Sequence, residues 1–129
     1  MGDKLIFFVD DEPMFINLLE YTFKAKNGYV TKTFSNGEDC IEHLYMNPSL
    51  VVVDFFLGGN NAEMTGLDLV RKIKKDSPFV SVIVLSGNDD EKTIEEAKAS
   101  GVEEYIIKDG YFIDNLIESI SKILPPETN

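Results

Sequence analysis

Apolar residues in this chain alternate between short strand-like runs and longer helical segments, five times over. The strand-like runs fall at residues 5–9, 29–34, 50–53, 81–85 and 102–107. The runs at 5–9 and 50–53 are apolar at successive positions, which marks strands buried on both faces, as in a parallel sheet. The run at 50–53 is the most continuous, so a central place in the sheet is expected. Between the runs lie segments of helical period. Pro13, suited to a first helical turn, opens one that reaches about Lys26, with Met14, Phe15, Leu18, Leu19, Tyr21, Thr22 and Phe23 as a wide apolar face. Asn27-Gly28 is a stop signal.

Asn36-Gly37 opens a short helix to about Tyr45, closed by Asn47-Pro48. A Gly/Asn-rich loop, Gly58-Gly59-Asn60-Asn61, precedes a helix over 66–76, with Leu67, Val70 and Ile73 or Leu69 toward the sheet. Asp89 and Asp90 are natural caps for a helix through Ser100, which Gly101 terminates. Ile113, Leu116, Ile117, Ile120, Ile123 and Leu124 line a last helix, and Pro125-Pro126 ends the packed pattern. Five strand–helix alternations predict an α/β fold, (βα)5, with helices on both faces of a parallel sheet. The reading is one domain over residues 1–129, with a core of about 4–124 and a tail at 125–129.

Composition narrows the function classes. The net charge of −11 argues against a nucleic-acid surface and against an anionic membrane face, both of which require clustered Lys and Arg. No apolar stretch has the roughly 20 residues that span a bilayer, and the opening Met1-Gly2-Asp3-Lys4 shows no signal peptide. A single cysteine, Cys40, excludes an internal disulfide and fits a reducing compartment, so a cytoplasmic location is expected.

The candidate chemistry sits where the apolar runs stop. Val9 leads into Asp10-Asp11, Val53 into Asp54, Leu85 into Ser86 and Ile107 into Lys108. In an open parallel sheet, ligands bind beyond the carboxyl ends of the strands, so these side chains are expected to share one edge. Three clustered carboxylates repel unless a cation joins them, and Mg²⁺ takes oxygen ligands of this kind. A carboxylate can also accept a phosphoryl group as nucleophile, with Lys108 and Ser86 supplying charge and a hydroxyl donor. Each residue alone has a bland reading: a helix cap for Asp10 or Asp11, a turn residue for Asp54 or Ser86, a solvated amine for Lys108. Their joint placement favours the functional one.

Along its whole length the chain resembles a response-regulator receiver domain. The resemblance rests on Asp10-Asp11 after the first strand, Asp54 after the third, Ser86 after the fourth, Lys108 after the fifth and an aromatic, Tyr105, three residues before the lysine. It implies a flavodoxin-like doubly wound fold with strand order 2-1-3-4-5. It also implies Asp54 as phosphoacceptor, with Asp10, Asp11, Asp54 and the backbone carbonyl of Phe56 around Mg²⁺. Ser86 and Lys108 would contact the phosphoryl group, and Ser86 with Tyr105 would form the switch. The implied donor is a histidine kinase or a histidine phosphotransfer protein. The face made by the fourth helix, fifth strand and fifth helix would report to a downstream protein. Such a domain assists its own phosphorylation without being a turnover enzyme.

Two features depart from the family pattern. Asp109 follows Lys108 where family members usually have a proline joined by a cis bond, so the peptide here is expected to be trans or strained. The loop after Asp54 reaches its glycine, Gly66, about four residues late, either as a tolerated surface extension or as a flap beside the site. Bulky Phe56 is expected to hinder water attack on a phosphorylated Asp54. His43 lacks metal-ligand companions and reads as a boundary residue; Cys40, beside Ile41, reads as a small hydrophobe.

Three alternatives have distinct signatures. A pseudo-receiver would bind proteins without the chemistry, and the complete set of site residues disfavours it. An aspartate-nucleophile phosphatase would carry Asp-x-Asp after the first strand, where this chain has Asp10-Asp11-Glu12-Pro13. An FMN carrier needs a hydroxyl- and Gly-rich phosphate loop there, and these acids would repel the phosphate.

Overall fold

The computed structural model describes residues 3–57 and 64–125. The Gly58-Gly59-Asn60-Asn61 loop and the tail beyond Pro125 lie outside the described residues. Five parallel strands, β1 (Lys4–Val9), β2 (Tyr29–Phe34), β3 (Leu50–Asp54), β4 (Ser81–Ser86) and β5 (Glu104–Ile107), form one sheet in the order β2-β1-β3-β4-β5. Helices α1 (Pro13–Lys24), α2 (Gly37–Glu42), α3 (Gly66–Asp76), α4 (Glu91–Ala99) and α5 (Phe112–Ile123) alternate with the strands.

The two-residue period of the strands divides the core. Phe7, Val9, Val51, Val53, Val82 and Val84 point to the face shared with Cys40 of α2, Leu69, Val70 and Ile73 of α3 and Ala97 of α4. Ile6, Phe8, Leu50, Val52, Ile83 and Leu85 point the other way, against Leu19 and Phe23 of α1 and Phe112, Leu116 and Ile120 of α5. Every residue of β3 is buried, which bears out its central place. The apolar face expected for α1 is narrower than its composition implied. Phe15, Ile16, Leu19 and Phe23 pack on the sheet, whereas Met14, Leu18 and Tyr21 are exposed. The i, i+4, i+8 row through 15, 19 and 23 is the buried stripe, and the other apolar residues lie off it.

The caps explain the helix starts. Asn36 accepts the Asp39 amide at 2.8 Å, Asp90 accepts the Thr93 amide at 3.2 Å, and Thr65 forms a reciprocal capping box with Asp68. Helix α2 ends at Glu42 and passes into a 3-10 turn at Leu44–Met46, short of the single helix expected to Tyr45. Asn47 then leaves in the left-handed region with φ of 57°. The fifth strand begins at Glu104 rather than at 102, and just ahead of it Glu103 holds Val82 twice, its backbone amide donating to the Val82 carbonyl at 2.8 Å. Its carboxylate accepts the Val82 amide at 2.8 Å and holds Lys74 at 2.9 Å, while the Lys74 amine also donates to the Val80 carbonyl.

Candidate functional site

Strands β1, β3, β4 and β5 deliver their last residues, or the next ones, to one edge of the sheet. Asp10 follows Val9 and is buried; its Oδ1 accepts the Glu12 amide at 2.9 Å and its Oδ2 accepts Lys108 Nζ at 2.8 Å. Neither Asp10 nor Asp11 is the N-cap residue of α1: that place is taken by Glu12, whose side chain makes no capping hydrogen bond. Asp54 closes β3, is 8% exposed, accepts the Phe56 amide at 3.2 Å through Oδ1 and lies 3.7 Å from Lys108 Nζ through Oδ2. Asp11 is exposed, and one carboxylate oxygen from each of Asp10, Asp11 and Asp54 lies within 4.8 Å of the others.

Ser86 ends β4 with no exposure, and its Oγ accepts the Asn88 amide at 3.0 Å. The Lys108 amide donates to the Ser86 carbonyl at 2.8 Å, which joins the ends of β4 and β5 and sends the lysine side chain back toward β1. The Lys108–Asp109 peptide bond is trans, one of the two expected arrangements, and the Asp109 carboxylate accepts the Tyr111 amide at 2.8 Å. Tyr105, on β5, donates its hydroxyl to the Asn88 carbonyl at 2.7 Å and meets the Phe55 ring at 6.3 Å. Burial raises its pKa, the Ser86 side chain works against that shift, and the charges of Asp89 and Asp90 add to it. Phe56 is half exposed on the rim, its ring edge-on to Phe55 at 5.3 Å.

Electrostatically the pocket is acidic. Burial pushes Asp54 up to about 6; the Asp10 charge pushes the same way, Lys108 and the Phe56 amide pull down, and Asp11 raises it further. Among the described residues the cluster gathers three carboxylates around the Lys108 amine and so carries an excess of negative charge. An all-oxygen donor set with that excess fits a hard divalent cation such as Mg²⁺, with Asp10, Asp11 and Asp54 as the side chains that would hold it.

Gly66 sets the approach of α3 to this edge. A Cβ there would stand 2.4 Å from the carbonyl oxygens of Asp54 and of Phe55, so only glycine lets the helix start against the backbone that presents Asp54. His43 is set apart from the pocket: its ring lies between Phe34 at 5.1 Å and Tyr45 at 6.0 Å, and its Nδ1 is 2.7 Å from the Asp39 carbonyl. Cys40 is fully buried, and burial pushes its thiol up to about 12. Sequence reasoning placed Phe15 only in the core stripe of α1. In the structure its ring centroid is 4.0 Å from Lys108 Nζ, a contact that no spacing in the sequence marks.

Comparison with known proteins agrees with this geometry. The chain is 28% and 29% identical to the response regulator proteins VraR of Staphylococcus epidermidis and Staphylococcus saprophyticus over 109 residues, 84% of this chain and 50% of each relative. It therefore spans about half the length of these curated relatives. Chemotaxis protein CheY of Thermotoga maritima is 26% identical over 125 residues, covering 95% of this chain and 98% of that protein. The crystal structure of the receiver domain of NtrX from Brucella abortus superposes with a TM-score of 0.81 at 28% identity, covering 92% of this chain and 97% of that one. Residues 6–121 match the description of the response regulator receiver domain, the domain of two-component signalling, and the chain belongs to that family.

Proposed function

We propose that this domain is a phosphoacceptor switch in which Asp54 takes a phosphoryl group from a phosphohistidine of a histidine kinase or histidine phosphotransfer protein. The observation that carries the reading is the convergence of Asp10, Asp11, Asp54 and Lys108 on one pocket. A carboxylate oxygen of Asp54 attacks phosphorus, the phosphorus–nitrogen bond of the donor breaks, and the imidazole leaves with the bonding pair and takes up a proton. Lys108 then has a phosphoryl oxygen to pair with, and the buried Ser86 hydroxyl can turn from its local amide toward the new anion. Asp10, Asp11, Asp54 and the Phe56 carbonyl would hold Mg²⁺. When bound, the ion supplies positive charge to the acidic pocket.

The new anion recruits donors and so biases a packing choice, which is how a local charge becomes a signal. Tyr105 is placed to follow, because its hydroxyl bond to Asn88 lies on the loop that begins at Ser86. Ser86 and Tyr105 together form the switch, and the surface of α4, β5 and α5 reports it to a downstream protein. A cavity of about 410 Å³ opens on that surface, lined by Tyr105, Ile107, Asn115, Glu118 and Lys122 among others. Incubation with acetyl phosphate and Mg²⁺ should add one phosphoryl mass to the wild type and none to Asp54→Asn. A wild type that gains no phosphoryl mass leaves a pseudo-receiver that binds proteins independently of phosphate.

A further inference from the structure

The Lys108 amine has a third close neighbour that bears no charge. Besides Asp10 at 2.8 Å and Asp54 at 3.7 Å, the centroid of the Phe15 ring lies 4.0 Å from Nζ. Phe15 is the third residue of α1, and its ring meets that of Phe112, the buried first residue of α5, edge-on at 5.6 Å. The ring, carried by α1, is thus braced by the start of α5. Only 10% of the lysine side chain reaches solvent, so its cation is largely desolvated.

We infer that Phe15 is a positioning residue for Lys108: its ring holds the ammonium over the acidic pocket while leaving it free to shift from Asp10 toward a phosphoryl group on Asp54. The inference rests on the phosphoacceptor function proposed above. The amine is hydrogen-bonded to Asp10 and not yet to Asp54, so serving a group on Asp54 requires a displacement of the order of the 2.8 to 3.7 Å difference. A hydrogen-bonding third neighbour would oppose that movement, since such bonds weaken steeply with distance and angle. A ring face attracts a cation through its quadrupole out to about 6 Å, and that attraction varies slowly as the cation slides. The ring uses none of the three N–H donors of the lysine in a directional bond, so they stay available for oxygen. An aliphatic side chain would fill the same space without attracting the charge.

Three variants separate positioning from packing. Phe15→Leu keeps an apolar side chain and removes the ring, Phe15→Tyr restores the ring, and Lys108→Met removes the cation on which the ring acts. With acetyl phosphate and Mg²⁺ as the probe, and intact mass as the readout, Phe15→Leu should phosphorylate roughly ten-fold more slowly than wild type. Phe15→Tyr should stay within about two-fold. In the Lys108→Met background, Phe15→Leu should produce no further slowing.

A second readout needs no phosphate. Limited acetylation with acetic anhydride, scored by peptide mass against the exposed Lys72, should modify Lys108 several-fold faster in Phe15→Leu than in wild type. Equal slowing by Phe15→Leu in both backgrounds, or unchanged phosphorylation and unchanged Lys108 acetylation, overturns the inference. If the wild type gains no phosphoryl mass, the function proposed above fails instead, and the acetylation contrast alone decides whether the ring holds the lysine.

Discussion

Replacing Asp54, the proposed acceptor, with its neutral amide should make the metal-free protein more stable. Asp54 is 8% exposed and its pKa is pushed from 3.8 up to about 6, chiefly by burial and by the Asp10 charge. The folded state therefore binds a proton more tightly than the unfolded chain does. Wherever the native state holds more protons, stability falls as pH rises. The fall runs from about pH 4, the unfolded value, to about pH 6, the folded one, and above that the whole penalty is present. At about 1.4 kcal/mol per unit, a shift of roughly two units sets a ceiling near 3 kcal/mol. The attraction of Lys108 is already inside that figure, since it is one of the causes that lower the pKa. Asparagine keeps an oxygen for the Phe56 amide and carries no charge, so Asp54→Asn should gain about 1–3 kcal/mol at pH 7.5 in chelator, roughly 5–10 °C in Tm. At pH 4.5 most of the gain should vanish, because the wild-type carboxyl is then largely protonated in the fold. Added Mg²⁺ should raise the wild-type Tm more than that of the variant. The measurement is paired thermal melts at the two pH values, with and without Mg²⁺. A variant no more stable than wild type at pH 7.5, or a gain of equal size at pH 4.5, refutes the reasoning.

Other positions give sharper single readouts. Gly66→Ala places a Cβ 2.4 Å from two backbone carbonyl oxygens, so urea denaturation should show a loss of at least about 2 kcal/mol, and wild-type stability would show that α3 can shift without cost. Phe56→Asn removes the half-exposed ring at the rim and should speed loss of the phosphoryl group several-fold in a mass time course; an unchanged lifetime removes any shielding role for Phe56. Native Cys40, buried and with its thiol pushed up to about 12, should resist iodoacetamide at pH 8 and react only on unfolding; rapid native alkylation would contradict that burial.

The strands and their carboxyl ends were legible in the sequence because both are local signals. An apolar run has to end where the sheet ends, and a polar residue at that point announces itself. Asp10, Asp54 and Ser86 were read this way, and the structure places all three at that edge with Lys108 beside them. The bounds of α3 were equally readable, from Gly66 at its start and Ser77-Pro78 at its end. Features that depend on which side of an element meets a neighbour were harder to read. Seven residues of α1 were grouped as one apolar face, yet Met14, Leu18 and Tyr21 turn outward, since composition within a helix does not say which row meets the sheet. The start of β5 was misplaced for a related reason. Glu103 donates its backbone amide to the Val82 carbonyl, while the Val82 amide is met by the Glu103 carboxylate, and no propensity encodes that side-chain partner.

Phe15 shows the same limit at the site. The i, i+4 row that places it in the core also carries it to the end of β5, where the row runs out against Lys108. Periodicity identifies Phe15 as an inward residue and stops there. The identity of its contact depends on how α1 packs across the sheet, because Lys108 arrives from a strand 93 positions later in the chain. Charge pairing has the same long reach, since the amine of Lys108 meets Asp10 across a separation of 98 residues. Sequence can thus list the acids and the amine, but only the fold decides which acid the amine chooses. That choice matters chemically. With Lys108 bonded to Asp10 and standing off from Asp54, the Asp54 carboxylate keeps a raised pKa and an oxygen not taken by the amine. A lysine locked onto Asp54 would lower that pKa and weaken the carboxylate as a nucleophile. Under the proposed function, this resting arrangement would favour Asp54 as acceptor, and a phosphoryl group there would give the lysine its reason to move.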